Sequence, residues 1–274
     1  MKEETNKSMP QPNEKTIEEL KNKVIQGDCL EVMKEIPDGS VDMVLTSPPY
    51  DNLRTYKGYT FNFEGIAKEL YRVLKDGGVC VWVVADETSN FCESLSSFRQ
   101  ALYFNSIGFN LLDTMIYHKT TVPPAYPTLR RYGNCFEYMF VLSKGRPNTF
   151  NAIENDKIHG VKEYHSTYRQ TDGSLKKRHI AKVENTKKKI TNLWSYGSGG
   201  KSEFNHPAKF PEKLAEDHIL SWSNEGDIIL DPMAGSGTTL KMAKKNNRNY
   251  IGIEISKEYI DIINRRLKNK LITL

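Results

Sequence analysis

A regular alternation of short apolar runs with helical patterns, which begins at Val24, constrains the fold most strongly. The run from Val79 to Ala85 is apolar throughout, which is typical of a strand buried on both faces of a parallel sheet. Such alternation predicts a mostly parallel sheet with helices on both faces. Strands are expected at 24–25, 41–45, 79–85, 109–118, 135–142, 227–230 and 250–255. Helices are expected at 28–36, 63–74 and 211–222, after residue 239 to about 246, and from about 256 onward. A further helix is expected where Phe91, Leu95, Phe98 and Leu102 form an apolar stripe.

Between residues 144 and 205 this periodicity fades and basic residues accumulate. The segment holds thirteen Lys and Arg against six Asp and Glu, a net formal charge of +7, whereas the whole chain is +5. Aromatic residues are interleaved with basic clusters at 176–178 and 187–189. Two interpretations stay open, a solvated insertion or a basic surface that follows phosphates.

Composition argues against a secreted or membrane protein. Mean hydropathy is −0.59, and the most apolar run is far too short to span a bilayer. The first fifteen residues lack the apolar run of a secretory signal. The four cysteines form no Cys-x-x-Cys pair and show no metal-ligand spacing with histidines. We therefore expect reduced thiols, no metal and a cytoplasmic location.

A glycine-containing turn, Asp231 to Thr239, joins an apolar strand to a helix. Its glycines permit close approach of a ligand to the backbone, and the helix N-terminus offers amide donors. Glu254 is expected at the end of the next strand, where it could accept hydrogen bonds from ribose hydroxyls. No Lys follows Gly237, which disfavours a phosphate-binding loop, and the third glycine of a dinucleotide motif is absent. A nucleoside ligand is favoured, and a purely structural turn stays open.

A second turn, Ser47-Pro48-Pro49-Tyr50, follows the strand at 41–45. Alone it would be an ordinary proline turn, but ligands of open α/β sheets bind at this end of a strand. The prolines fix the backbone, so the carbonyl of Pro48 has a defined direction beside the Ser47 hydroxyl and the Tyr50 ring. Two acceptors can draw the hydrogens of an aromatic amine out of plane and so localise its lone pair. The turn therefore favours methyl transfer to a ring amine by direct displacement, with no covalent enzyme intermediate.

Together these motifs resemble the DNA amino-methyltransferases, and the catalytic turn precedes the cofactor turn as in that family's beta group. Gly27-Asp28 resembles the family's contact with the cofactor adenine, although Asp28 with Glu31 also forms a helix-capping pattern. The sequence His206-Pro207-Ala208-Lys209-Phe210-Pro211 resembles the histidine-proline motif near the methionine end of the cofactor, with Phe210 departing from the usual Lys-Pro pair. The resemblance covers roughly 24–143 and 206–274.

The resemblance implies a class I S-adenosylmethionine-dependent methyltransferase fold, a Rossmann-like doubly wound sheet with one antiparallel strand. The expected organisation is a polar tail at 1–22, a catalytic half at 23–143, a basic target-recognition insertion at 144–205 and a cofactor-binding half at 206–274. S-adenosylmethionine is the implied cofactor, with S-adenosylhomocysteine as product. Implied partners are double-stranded DNA, a cognate restriction endonuclease and a second copy in a homodimer, in a bacterial, archaeal or phage setting.

Site residues follow from the matched motifs. The implied catalytic set is Ser47, Pro48, Pro49 and Tyr50, and the implied cofactor contacts are Asp28, Cys29, Lys209, Asp231, Pro232, Gly235, Gly237, Thr238 and Glu254. Candidate DNA contacts are Arg54 and Lys57 after the catalytic turn, Arg130 and Arg131 in a proline-rich loop, and Lys176, Lys177 and Arg178 in the insertion. Each of those loops could equally be an ordinary exposed one.

Ser47 carries information about the target base. Family members with Ser at this position usually methylate the 4-amino group of cytosine, and those with Asp or Asn the 6-amino group of adenine. The expected activity is therefore cytosine-N4 methylation of a flipped-out base, with adenine-N6 as the alternative. A 5-carbon cytosine methyltransferase is disfavoured because no Cys follows a Pro. An RNA or protein methyltransferase and a non-catalytic DNA-binding protein remain as rivals.

Overall fold

A computed structural model describes residues 15–49, 61–121, 132–156, 166–178, 187–197 and 211–268. By its internal contacts the chain divides into a main unit, Met1–Asn151 with Asn192–Leu274, and a small unit, Ala152–Thr191. The predicted boundaries of the basic insertion, 144 and 205, are wider than this small unit.

The described part of the main unit alternates strands and helices through most of its length. In both units, the strands among the described residues are β1 (Lys23–Gln26), β2 (Val41–Thr46), β3 (Leu74–Val84), β4 (Thr88–Ser89), β5 (Cys92–Glu93), β6 (Asn110–Lys119), β7 (Phe136–Ser143), β8 (Glu154–Asp156), β9 (Ser166–Arg169), β10 (Leu175–Arg178), β11 (Lys187–Lys189), β12 (Leu193–Tyr196), β13 (Ile228–Asp231) and β14 (Asn249–Glu254). The helices are α1 (Ile17–Leu20), α2 (Cys29–Met33), α3 (Phe63–Val73), α4 (Ser96–Ser106), α5 (Glu212–Trp222), α6 (Thr238–Lys245) and α7 (Lys257–Lys268).

Eight strands form the central sheet in the order β1-β14-β13-β2-β3-β7-β6-β12. Every neighbouring pair is parallel except those of β7, which runs antiparallel to β3 and to β6. The prediction of a doubly wound sheet with one antiparallel strand is confirmed. β12 is a short edge strand that apolar periodicity did not indicate, and β3 begins at Leu74 rather than at Val79.

Adjacent side chains of the central strands point to opposite faces of the sheet. Val44, Cys80 and Trp82 join a core cluster with residues of α2, α3 and α4, whereas Met43 and Leu45 are buried outside that cluster. α5 packs against β2, and α6 packs against β13. The middle of the sheet is therefore dry on both faces, which explains its uninterrupted apolar runs.

The predicted helix on the stripe of Phe91, Leu95, Phe98 and Leu102 exists as α4, but the stripe was the wrong guide to its buried face. These four side chains are exposed, Phe91 to 77% and Leu102 to 72%. The helix instead buries Ser96, Ser97, Gln100 and Phe104. Hydrogen bonds replace apolar contact there: Trp82 Nε1 donates to Gln100 at 2.8 Å, and the backbone amide of Ser97 donates to Asp86 at 2.9 Å.

Within the helices that the structure describes, none is both long and apolar enough to cross a membrane. Over the same part of the chain, no group of three or more His, Cys, Asp and Glu side chains is arranged to hold a metal ion.

His218 is a fully buried histidine on α5. Its ring lies 4.6 Å from that of Trp194, its Nε2 is 3.2 Å from Met139 Sδ, and its Nδ1 finds no hydrogen-bond partner among the described residues. Burial lowers the pKa of His218 from 6.5 to about 3. The native ring therefore stays neutral in mild acid, where the ring of an unfolded chain takes up a proton.

This difference predicts an acid-dependent loss of stability. Because the folded pKa is depressed, the free energy of unfolding falls as pH decreases from about 6.5 towards 3. Between pH 7 and pH 4 the free energy of unfolding of wild type should fall by roughly 3 kcal/mol more than that of a His218→Phe variant, because phenylalanine has no titrating ring. Urea unfolding of both proteins at several pH values measures this, and parallel pH curves would refute it.

Candidate active site

The catalytic turn predicted from the sequence begins where β2 leaves the sheet. Thr46, the last residue of β2, is fully buried, Ser47 and Pro49 are half-buried, and Pro48 is buried. Tyr50, its fourth predicted member, lies outside the described residues. Ser47 and Pro48 therefore sit at the carboxyl end of a central strand, where a ligand can reach them.

The cofactor turn begins where the neighbouring strand, β13, ends at Asp231. β13 pairs in parallel with β2, with Leu230 opposite Val44. The chain continues from β13 to β14 on one side and from β2 to β3 on the other, so the winding reverses between these strands. Ligands of open α/β sheets bind at such a reversal.

The cofactor turn depends on two glycines with left-handed backbone. Gly235 has φ of +52° and Gly237 has φ of +78°. A Cβ on Gly237 would lie 2.9 Å from Ile263 Cγ1 of α7, so packing as well as conformation requires glycine. The amide of Gly237 donates to the carbonyl of Ala234 at 2.7 Å, which closes a tight turn before α6 begins at Thr238.

Glu254 ends β14 and holds this turn from the side. Its Oε2 accepts the amide of Gly235 and its Oε1 accepts the amide of Ser256, each at 2.8 Å. Burial raises the pKa of the Glu254 carboxyl against the lowering effect of these amides. Each carboxylate oxygen has two acceptor positions, so Glu254 keeps capacity for hydroxyl donors of a ligand.

Asp28 and Cys29 lie at the same edge, beside the end of β14. The amide of Gly27 donates to the backbone carbonyl of Glu254 at 3.1 Å, which joins the ends of β1 and β14. The Asp28 carboxylate caps α2 by accepting the amides of Leu30 and Glu31, at 2.9 and 3.4 Å. Burial, with Asp28 and Glu254 nearby, raises the pKa of the Cys29 thiol to about 12, so it stays protonated.

A buried carboxyl, Asp231, lies between the two turns. Thr46 Oγ1 donates to Asp231 Oδ1 at 2.8 Å, and the amide of Met233 donates to the same oxygen at 3.2 Å. Burial raises the pKa of Asp231 to about 6, although hydrogen bonds from Thr46, Thr239 and Met233 lower it. The fold thus keeps a costly acidic group at the junction of the catalytic and cofactor turns.

A comparison with protein-family models decides the family. Residues 41–265, which include both turns, match the model of the N6/N4 methyltransferase family described as DNA methylase. The chain belongs to this DNA methylase family. The predicted resemblance is confirmed by this match.

Known relatives of this DNA methylase span most of its length. The orphan methyltransferase M.BamHII of Bacillus amyloliquefaciens is 54% identical over 250 residues, covering 88% of this chain and 94% of its own. The type II methyltransferase M.HinfI of Haemophilus influenzae is 29% identical over 277 residues, covering 92% and 70%.

Solved structures agree with the fold. The cytosine-N4-specific PvuII DNA methyltransferase has a TM-score of 0.67 at 20% identity and covers 91% of this chain and 87% of its own. A Thermus thermophilus protein whose structure was solved in complex with S-adenosylmethionine has a TM-score of 0.58 at 25% identity and covers 90% of this chain and 96% of its own.

The structure brings together most of the predicted site residues that it describes. Asp28 and Cys29 lie beside Glu254, Glu254 binds Gly235, and Asp231 is bonded to the residue before Ser47. Pro232, Gly237 and Thr238 are buried parts of the same cofactor turn. The predicted residues Tyr50, Arg54, Lys57, Arg130, Arg131 and Lys209 lie outside the described part of the methylase.

Sequence reasoning missed three residues of this site, namely Thr46, Thr239 and Arg266. The Arg266 guanidinium, on α7, donates to the Ser236 carbonyl at 2.5 Å and to Glu212 at 2.7 Å. The Thr239 hydroxyl donates to the Leu45 carbonyl at 3.2 Å. Tertiary packing alone creates these contacts, although a threonine directly before the catalytic turn is a signal that could have been noticed.

The remaining predicted residues, Lys176, Lys177 and Arg178, form part of β10 in the small unit. β10 pairs with β9, which places Lys176 opposite Tyr168 and Lys177 opposite Thr167. In the second hairpin, Lys187 lies opposite Asp156 and Lys189 opposite Glu154. Cross-strand pairs of opposite charge stabilise a hairpin and neutralise each other. The β9–β10 hairpin is therefore the more strongly basic of the two.

Proposed function

We propose that this DNA methylase transfers a methyl group from S-adenosylmethionine to the 4-amino group of cytosine, in a base flipped out of double-stranded DNA. The observation that carries the proposal is the meeting of two turns at the centre of the sheet, joined by the 2.8 Å hydrogen bond from Thr46 to Asp231. An amine held at one turn and a methyl donor held at the other would lie side by side.

The cofactor site has the chemistry that S-adenosylmethionine requires. Glu254 offers buried acceptor oxygens suited to the ribose hydroxyls, and the glycine turn lets the ligand approach the backbone. Asp28 and Glu254 place two carboxyl groups at the same edge as the cofactor turn, which suits a ligand that carries positive charge. When bound, this cofactor supplies an electrophilic methyl group on a positively charged sulfur, which becomes a neutral thioether after transfer.

The catalytic turn supplies acceptors rather than a nucleophile. The Ser47 hydroxyl oxygen and the Pro48 carbonyl accept the two hydrogens of the target amine and localise its lone pair. With the cofactor bound, the amine nitrogen would take the methyl group as the carbon–sulfur bond breaks, and one amine proton would pass to water. Tyr50 stacks on the base. Cys29 and Cys80 have pKa values raised by burial, so neither is suited to act as a thiolate nucleophile.

Cytosine is preferred over adenine because of Ser47, and adenine-N6 methylation is the alternative. The structural likeness to the cytosine-N4-specific PvuII enzyme supports a fold compatible with cytosine. The relative M.BamHII is named an orphan methyltransferase, which favours a solitary role over a restriction-modification pair. The cognate endonuclease, the homodimer and the cytoplasmic location remain predictions.

The β9–β10 hairpin is the proposed DNA-contacting element of the small unit. Replacing Lys176 and Lys177 together by glutamine is expected to weaken DNA binding about tenfold, because lysines that pair with phosphates release counterions. The slope of log affinity against log salt should fall by roughly one for each lysine–phosphate pairing that the substitutions remove.

The second hairpin provides the matched control for this prediction. Lys187 and Lys189 pair in register with Asp156 and Glu154, so their replacement by glutamine should change the affinity and the salt slope much less. Fluorescence anisotropy with a labelled duplex at several salt concentrations measures the DNA affinity and its dependence on salt. Equal losses from the two pairs of substitutions would argue against the assignment.

Arg266 is expected to support cofactor binding by fixing the Ser236 carbonyl. Arg266→Met should raise the Kd for S-adenosylmethionine about tenfold, a loss of roughly 1.4 kcal/mol. The neighbouring Arg265, whose Nε donates to the Asp261 carbonyl of its own helix, provides the control variant Arg265→Met. Calorimetric titration measures the Kd of both variants. Equal affinities of Arg266→Met and Arg265→Met for S-adenosylmethionine would contradict this role.

A methyl-transfer assay tests the proposal as a whole. The purified protein is incubated with tritiated S-adenosylmethionine and with duplex DNA, RNA or a protein mixture. Label in DNA alone is the expected result. Label confined to RNA or to protein would indicate an RNA or protein methyltransferase instead. Binding of DNA without transfer of label would indicate a non-catalytic DNA-binding protein.

A further inference from the structure

The buried contact between β2 and β13 lies directly behind both reactive turns. Thr46 is the last residue of β2 and precedes Ser47, while Asp231 is the last residue of β13 and precedes Pro232. They are separated by 185 residues in sequence, yet their side chains are joined at 2.8 Å. Thr46 is 0% and Asp231 is 2% exposed, so water does not compete for this bond.

A third residue extends the contact into the helix that follows the cofactor turn. Thr239, in the first turn of α6, is fully buried and donates to the carbonyl of Leu45, the neighbour of Thr46. The same hydroxyl is near enough to Asp231 to lower the pKa of that carboxyl. The end of β2 is therefore tied both to the end of β13 and to the start of α6.

The stability of the fold does not by itself explain why a carboxyl group, Asp231, is buried at the end of β13. A carboxyl group buried in a sheet costs free energy unless hydrogen bonds compensate it, and an apolar pair of similar size often packs as well or better. Burial raises the pKa of Asp231 to about 6, and the nearby Glu254 carboxylate on β14 adds to the rise. Ionisable groups that are perturbed in this way cluster at functional sites.

We propose that Thr46 is a positioning residue, whose hydrogen bond to Asp231 sets the distance and direction between the amine held at Ser47 and the cofactor held at the turn from Asp231 to Thr239. Thr46 touches neither ligand and acts through the backbone of the two turns. This role rests on the proposed methyl transfer. Methyl transfer in line is sensitive to displacements of about 1 Å, which can change rates about a hundredfold.

The test compares two variants. Thr46→Val loses the hydroxyl that donates to Asp231 but has nearly the same shape as threonine, whereas Thr46→Ser keeps the hydroxyl. Single-turnover methylation, the Kd for S-adenosylmethionine and thermal unfolding are measured on each full-length variant. The valine variant is expected to transfer methyl 30- to 100-fold more slowly, with the Kd changed less than threefold. The serine variant should recover to within threefold of wild type.

Each outcome bears on a different claim. If wild type transfers no methyl group, the proposed function fails. If wild type is active and Thr46→Val matches its rate, the positioning role is wrong, whatever happens to the melting temperature. A serine variant as slow as the valine variant would also overturn it. Should the valine variant fail to fold, Thr46→Ala assayed at low temperature makes the same comparison with serine.

Discussion

Replacing Ser47 with alanine is expected to lower kcat for methyl transfer by about a hundredfold or more, while the Kd for S-adenosylmethionine changes less than threefold. In the proposed mechanism the hydroxyl oxygen of Ser47 accepts one hydrogen of the target amine, so its loss would leave the nitrogen lone pair delocalised into the ring. Removal of one preorganised polar group at a reacting centre commonly costs a hundred- to a thousandfold in kcat. Rapid-quench methylation and calorimetric cofactor titration measure the two quantities.

A serine at the other end of the same strand provides the control. Ser40 lies just before β2 and donates to the carbonyl of Pro37 at 2.6 Å, away from both turns. Ser40→Ala should keep the wild-type kcat. A Ser47→Ala enzyme that loses cofactor binding with its fold intact, or that keeps full turnover, would contradict the role given to Ser47.

Replacing Glu254 with glutamine should have the largest effect on cofactor binding. Each oxygen of this carboxylate accepts a backbone amide, so the NH2 group of glutamine must face one of two N–H donors. In the proposed cofactor site the variant would also lose charged acceptors for the ribose hydroxyls, and hydrogen bonds to charged groups are worth about 1.5–3 kcal/mol each. We expect the Kd for S-adenosylmethionine to rise about 30- to 100-fold.

Glu258, an exposed residue in the first turn of α7, is the matched control. Glu258→Gln changes the net charge by the same amount and should leave the Kd within twofold of wild type. With saturating cofactor, Glu254→Gln should recover most of its kcat, because its defect lies in binding. Unchanged affinity in Glu254→Gln would remove this residue from the cofactor site.

The central strands of the sheet were predictable because their middles are buried on both faces. β2, β3 and β14 each contain a short apolar run, at 43–45, 79–84 and 250–253, which is visible in the local sequence. β12 was missed because it is a four-residue edge strand in which only Trp194 is buried. Its place follows from pairing with β6, which local sequence does not encode.

The buried face of α4 shows where apolar patterning fails. Amphipathic reasoning assumes that apolar side chains face the core. In α4, however, Ser97 and Gln100 face the core because Asp86 and Trp82 offer them hydrogen bonds. Those partners are close in space only after the sheet forms. Phe98 and Leu102 are left on the outer side, where they remain exposed.

The candidate site divides in the same way. Ser47, Asp231, the two glycines and Glu254 stand in recognisable local motifs, so the sequence indicated them. Thr46, Thr239 and Arg266 act through contacts that the register of β2 with β13 and the packing of α7 create. Apart from the position of Thr46 directly before the catalytic turn, local sequence gives no signal for these contacts, and the fold is needed to see them.

The most direct test of the central claim is to express the protein in a host without DNA methylation of its own and to sequence the modified bases of that host's DNA. We expect N4-methylcytosine at one short recurring sequence. N6-methyladenine at such a sequence would contradict the assignment of the base through Ser47, and unmodified DNA from cells that contain the folded protein would contradict the proposed activity itself.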